Sequence, residues 1–258
     1  VKMVVPFAAG GSTDVVARLL GQQLGEMWGQ PVIVEARPGA GGNVGADAVV
    51  KSPADGYTLL MASGSITINP PLYGARMPFD VKRDLVPISI VASGPQLVVV
   101  QDGSPYKTLR DLIAAAKAKP GALSFGSAGV GSQVHLAGEN FAYAAGIDML
   151  HVPYRGEAAA YPDVISGQTQ MMVGNIAAAS ALVGPGRLRA LAITSAKRSP
   201  LLPDVPTMEE SGLKGVTVYS WQAFAAPKGL PADIKGKLHD ALVAGLNDPA
   251  VKTKLLDL

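Results

Sequence analysis

Cysteine is absent from this 258-residue chain. No disulfide, thiolate nucleophile or thiolate metal ligand is therefore available, although the lack of cysteine does not fix the compartment. Charge is scarce: Asp, Glu, Lys and Arg make up 16% of the residues, and 22 basic against 20 acidic side chains leave a net charge of +2. A balance this even, with no basic run to follow a phosphate backbone, argues against nucleic acid as a partner. Aromatics are 5% of the chain. No apolar run approaches the ~20 residues of a membrane span, so a membrane-embedded protein is not expected. The histidines His135, His151 and His239 are scattered along the chain without an H-E-x-x-H partner, so no metal site is expected. No leader-like segment precedes Val1. The chain opens inside a strand, as a cytosolic protein or a processed export precursor would.

Small and apolar residues are plentiful: 48% are hydrophobic and 30 are glycine. The length suits one large domain or two smaller ones with a sizeable core. The most informative stretch is Met3 to Asp14. A short apolar run stops at Pro6, a small-residue turn follows through Ala8, Ala9, Gly10 and Gly11, and a polar helix start comes at Ser12, Thr13 and Asp14. Val15, Val16, Leu19, Leu20, Leu24 and Met27 continue at helical spacing, and Gly29 stands where a C-cap glycine belongs. A strand running through a glycine turn into a helix presents backbone N–H groups and the positive end of the helix dipole, which together favour an anion.

The same unit repeats. Pro31 to Val34 reads as a strand, followed by the loop Pro38 to Asn43 and a helix through Val50. The strand Tyr57 to Met61 leads into Ser63-Gly64-Ser65. Pro87 to Val91 and Leu97 to Val100 read as two further strands. After a pause near Gln101 to Pro105, Thr108 and Asp111 form a capping-box pattern that opens a helix. A strand at Leu123 to Phe125 is followed by the loop Gly126 to Ser132 and a helix closed by Gly146. Met149 to Val152 reads as strand, the turn Pro153 to Gly156 leads to another helix, and strands follow at Met171 to Val173 and Leu188 to Ile193. The apolar strand Tyr219 to Pro227 returns late, and Pro231 suits the start of a final helix. This alternation predicts an α/β fold with parallel sheets, in which the glycine turns gather at the strands' C-terminal edges. Two halves are expected, domain I from residues 1–100 plus 222–258 and domain II from 101–221.

Enzyme chemistry finds little support. Gly126 to Ser132 lacks the lysine of a phosphate loop, and Gly39, Gly41 and Gly45 miss the dinucleotide spacing by one residue. Ser104 to Lys107 matches S-x-x-K without its companion motifs, and no nucleophile elbow occurs. His135, in the first turn after the Gly126–Ser132 loop, could donate to a carboxylate ligand or bond to its own loop. Asp14 is better explained as a helix-start carboxylate than as a ligand contact. Arg155 could pair with an anion or lie solvated. Tyr219 and Trp221 are expected to be half in the core.

VPFAAGGSTD (5–14), RPGAGGNVGAD (37–47), ADGYTLL (54–60), HVPYRG (151–156) and the stretch from Leu188 to Gly212 together resemble the Bug-type solute receptors. These are the extracytoplasmic binding proteins of tripartite tricarboxylate transporters. The resemblance covers essentially the whole chain in order. It implies a two-domain Venus-flytrap periplasmic binding protein fold with the ligand in a cleft between the domains. It also implies no cofactor, a periplasmic location with the signal peptide removed, and a further C-terminal segment beyond Leu258. The ligand implied is a small aliphatic or aromatic mono- or dicarboxylate, and the partners are the transporter's membrane subunits. Carried over by position, the ligand residues are Phe7, Ala9, Gly10, Gly11, Ser12 and Asp14, with Ser63 and Ser65 facing the same cleft. From domain II come Ser127, Gly129, Gly131, Ser132, His135, Tyr154, Arg155, Gly156 and Asn175. Gly174 stands where the family often has an acidic residue. Glu157 and Tyr161 replace smaller or apolar ones, and Glu157 is expected on the outer surface of its helix. The alternatives are the effector domain of a regulator and, less favoured, a cleft enzyme acting on a carboxylic acid.

Overall fold

The computed structural model describes residues 1–258. The chain divides into two compact units, Val1–Ser93 with Trp221–Leu258, and Gly94–Ser220.

In unit 1, β1 (Lys2–Val5) is flanked by β2 (Ile33–Ala36) and β3 (Thr58–Ser63), both parallel to it. Next in order come β9 (Tyr219–Pro227), antiparallel to β3, and then β4 (Leu85–Gln101). Helix α1 (Ser12–Trp28) covers one face, burying Val16, Leu20 and Leu24 against Met3, Val5, Leu59, Met61 and Phe224. Each such apolar side chain contributes roughly 1.5–3 kcal/mol on burial. Helix α9 (Ala232–Asn247) adds Leu238 and Leu242 to that core, and α10 (Pro249–Leu256) adds Val251. The opposite face holds Val4, Val49, Leu60, Phe79 and Leu85, beneath α2 (Asn43–Val50) and beside α3 (Ser65–Tyr73) and α4 (Val81–Asp84). Because β1, β2 and β3 are parallel, the loops that leave their C-terminal ends share one sheet edge.

Unit 2 repeats the plan. β5 (Ser124–Ser127) lies between β6 (Leu150–Pro153) and β7 (Met171–Asn175), parallel to both. β4 pairs antiparallel with β7 and with β8 (Leu188–Ile193). Helix α5 (Leu109–Ala118) opens with the expected capping box, Thr108 accepting from the Asp111 N–H and Asp111 accepting from the Thr108 N–H. Helix α6 (Gln133–Ala145) buries Ala137 and Phe141 with Phe125, Val98 and Val173. Helices α7 (Glu157–Ser166) and α8 (Ile176–Val183) follow β6 and β7.

One expectation needs correction. The two strands at Pro87–Val91 and Leu97–Val100 are a single 17-residue strand, β4. Gly94 and Pro95, between the two expected strands, keep the chain extended, since proline in β-type backbone does not force a turn.

Candidate functional site

The loop after β1 carries the first candidate group. Phe7 is buried, Ala9 and Gly10 are exposed, and Gly11 is the N-cap of α1 without any side-chain cap. Ser12 and Asp14 are buried in the first helical turn. Oδ2 of Asp14 accepts from the Gly10 N–H at 2.9 Å and from Arg18 Nε at 2.8 Å. The carboxylate therefore ties the glycine turn to the helix and has its countercharge on the same helix, the structural role favoured from sequence.

The second loop packs directly under the first. A β-carbon at Gly45 would lie 2.7 Å from Pro6 Cα and 2.9 Å from the Arg37 carbonyl, so only glycine lets α2 approach the turn this closely. Ser63 and Ser65, both buried, share a hydrogen bond of 3.0 Å. Asn69, which sequence reasoning missed, donates to the Gly41 carbonyl at 3.1 Å and to Asn43 Oδ1 at 2.8 Å. Pro6, Gly42, Asn43, Ser63, Ser65 and Asn69 help to enclose a cavity of about 10 Å³. That volume suits one water rather than a ligand. Two buried atoms without a partner, Asn43 Nδ2 and Asn69 Oδ1, belong to residues of its wall.

In unit 2 the loop from Ser127 to Ser132 is held by its own side chains. Ser127 Oγ accepts from the Gly129 N–H at 3.1 Å and lies 2.6 Å from His151 Nε2. Ser132 caps α6 by accepting from the His135 N–H. The Gly131 N–H donates to His135 Nδ1 at 3.2 Å, which places the proton of the neutral ring on Nε2, 3.4 Å from a Glu139 carboxylate oxygen. Of the two readings of His135, the bond to its own loop is the one present.

The histidines are less scattered than their positions in the chain suggest. The rings of His135 and His151 stand 4.0 Å apart, and Phe125 stacks on His151 at 4.9 Å. Burial pushes the His135 imidazole below its ordinary value against the pull of Glu139. It pushes His151 down to about 4, with a smaller contribution from its neighbour His135. Ligand-type atoms of His135, Glu139 and His151 fall within 4.8 Å of one another. Coordination through His135 Nε2 would move its proton to Nδ1, against the Gly131 N–H. The rings of His135, His151 and Phe125 form one cluster, held on the loop side by the Gly131 N–H.

Tyr154 directs its hydroxyl away from the loop, donating to Asp163 on α7 at 2.5 Å, and its N–H donates to the Ser127 carbonyl at 3.1 Å. Arg155 is exposed and Gly156 is the N-cap of α7. Asn175, at the end of β7, is 7% exposed. The loops after β5, β6 and β7 share one edge because these strands are parallel.

Glu157 is not on an outer surface; it is 5% exposed. Its carboxylate accepts from the Asn175 N–H at 2.6 Å, from Asn175 Nδ2 at 2.9 Å and from the Tyr161 hydroxyl at 3.3 Å. Helical spacing does place residue 157 in the first turn of α7, but that turn faces the end of β7. Gln96, also missed from sequence, donates from Nε2 to Asn175 Oδ1 at 3.2 Å and is fully buried. Gln96 belongs to no motif with a mechanism, so nothing in the sequence singled it out.

The tripartite tricarboxylate transporter family receptor model matches residues 16–258. Protein BugT of Bordetella pertussis is 40% identical over 252 residues, covering 97% of this chain and 77% of BugT. Solved structures that cover the whole of this chain include two from one organism. Rpa4515 of Rhodopseudomonas palustris with adipate has a TM-score of 0.96, 35% identity and 86% of its own chain covered. MatC of Rhodopseudomonas palustris with bound malate has a TM-score of 0.94, 31% identity and 87% covered. This chain belongs to the tripartite tricarboxylate transporter receptor family, whose members are solute-binding receptors of the two-domain periplasmic binding protein fold and not enzymes.

Proposed function

We propose that this receptor captures a small dicarboxylate in the periplasm and delivers it to the membrane subunits of a tripartite transporter. The observation that carries the reading lies in the loops. In each unit, parallel strands end in loops rich in glycine, alanine and serine at one sheet edge, with N–H and hydroxyl donors and a single arginine, Arg37 in one and Arg155 in the other. Such donors, together with helix N-termini, hold carboxylates without lysine. Phe7 to Asp14, Ser63 and Ser65 supply one set; Ser127 to Ser132, His135, Tyr154 to Gly156 and Asn175 supply the other. Adipate and malate, bound by two similar proteins, support an aliphatic diacid of four to six carbons.

A thermal-shift panel of aliphatic diacids, aromatic acids, citrate and acidic amino acids tests this. A diacid at ~100 times its Kd adds ~2.7 kcal/mol, a rise of a few degrees for a protein of this size. A flat panel on folded, ligand-stripped protein overturns the reading in favour of a sensor module. Turnover of a bound acid overturns it in favour of an enzyme.

A further inference from the structure

We infer that Glu157 is a positioning residue of the ligand site, locking the side-chain amide of Asn175 so that the group it offers is a hydrogen-bond donor. The inference rests on the carboxylate-receptor reading above.

A carboxylate only accepts hydrogen bonds. With Glu157 Oε2 at 2.9 Å, the amide nitrogen of Asn175 must be the atom that faces it. That choice puts Asn175 Oδ1 on the opposite side, toward Gln96, and Gln96 must then present its own nitrogen, as it does at 3.2 Å. The direction of all three groups is fixed from Glu157 outward. It holds even though it leaves Gln96 Oε1 buried without a partner.

The backbone is fixed too. The other oxygen of Glu157 takes the Asn175 N–H at 2.6 Å, so main chain and side chain of Asn175 are held from one carboxylate. Tyr161, 4% exposed, supports that carboxylate through its hydroxyl. An amide nitrogen has two hydrogens, and one is used by Glu157. The second is a donor of set direction, at a residue that keeps some accessible surface, and a carboxylate oxygen is its natural acceptor. A freely rotating asparagine would present its oxygen half of the time and repel the same ligand.

The test is a double-mutant cycle on binding of malate and adipate, measured by calorimetry, with folding checked by thermal unfolding. Asn175→Ala removes the donor and is expected to lower affinity ~10-fold or more. Glu157→Gln brings an N–H against the Asn175 donors and frees the amide to turn, for a similar loss. In the Asn175→Ala background the same Glu157→Gln change is expected to cause no further loss, because Glu157 acts through Asn175. A general structural role would keep lowering affinity there, and additive losses overturn the inference. So does an Asn175→Ala protein that binds as tightly as the wild type. Should Glu157→Gln not fold, Gln96→Leu loosens the same amide from its other side; a loss confined to the Asn175 background supports the lock, and an equal loss in both overturns it. Wild-type protein that binds neither diacid nor any other carboxylate overturns the receptor reading, and the lock with it.

Discussion

Tyr161 and Gly174 occupy one volume between them: a β-carbon added at position 174 would run into the Tyr161 hydroxyl. Tyr161 is buried and its hydroxyl is held by Glu157, so it has no room to retreat. Gly174→Ala is therefore expected to destabilise the protein by about 1–3 kcal/mol through overpacking. Adding Tyr161→Phe removes the obstructing oxygen and should recover part of that loss. Thermal unfolding of the single and double variants checks the coupling, and a Gly174→Ala protein as stable as wild type would contradict the contact.

Tyr154 and Asp163 make an alkaline prediction. Burial first, and the Asp163 carboxylate second, raise the Tyr154 hydroxyl to about 12. An unfolded tyrosine ionises near 10, so above that pH the unfolded state sheds a proton that the folded state keeps. The stability Tyr154 contributes is present below pH 10 and is lost as pH rises from 10 toward 12. Absorbance of tyrosinate should show this group titrating late, and Asp163→Asn should move it earlier.

His151 makes the opposite prediction on the acid side. Its folded value is lowered to about 4, against about 6.5 when unfolded, chiefly by burial. The unfolded state therefore binds a proton that the folded state refuses, and stability falls as pH drops from 6.5 toward 4. His135, lowered for the same reason, adds to the trend. Imidazole resonances followed by NMR should show the His151 ring neutral at pH 6.5 and His135 titrating below its ordinary value. A ring that titrates at its ordinary value would break the assignment.

The capping box of α5 is a local prediction. Thr108→Ala removes the acceptor for the Asp111 N–H, and a loss of about 1 kcal/mol is expected. Hydrogen bonds from Thr108 and Lys107 hold the Asp111 carboxyl below its usual range, so this cap should weaken in acid. Denaturant unfolding at pH 7 and pH 3 measures both effects.

The parts of the fold with a local cause were legible in the sequence. The Thr108–Asp111 box, the glycine ends of α1 and α6, and the strand–turn–helix at β1 follow from residues within a few positions of one another. The union of two expected strands into β4 was not legible, because partners on β7, β8 and β9 decide whether Gly94-Pro95 bends or runs straight. Helices α8 and α10 also went unread: α8 is apolar on every side and α10 has only two turns. In the candidate site, loop residues could be named from their glycines and hydroxyls. Their supports could not. Asn69 reaches back 26 residues to Asn43, and Gln96 reaches 79 residues to Asn175. Polar residues that meet across such distances leave no periodic trace.

β9 sits between β3 and β4 in unit 1, yet it arrives more than 150 residues after β3. A chain emerging from its N-terminus first therefore presents every residue of unit 2 before the strand that unit 1 needs to close its sheet. Unit 2 can complete its core early, while β3 waits with an open edge. Pairings across such long loops form slowly, and an open hydrophobic edge invites pairing with other chains. The order in which the sequence is laid down thus gives the two units unequal histories: one folds as a continuous piece, and the other depends on the last strand to arrive.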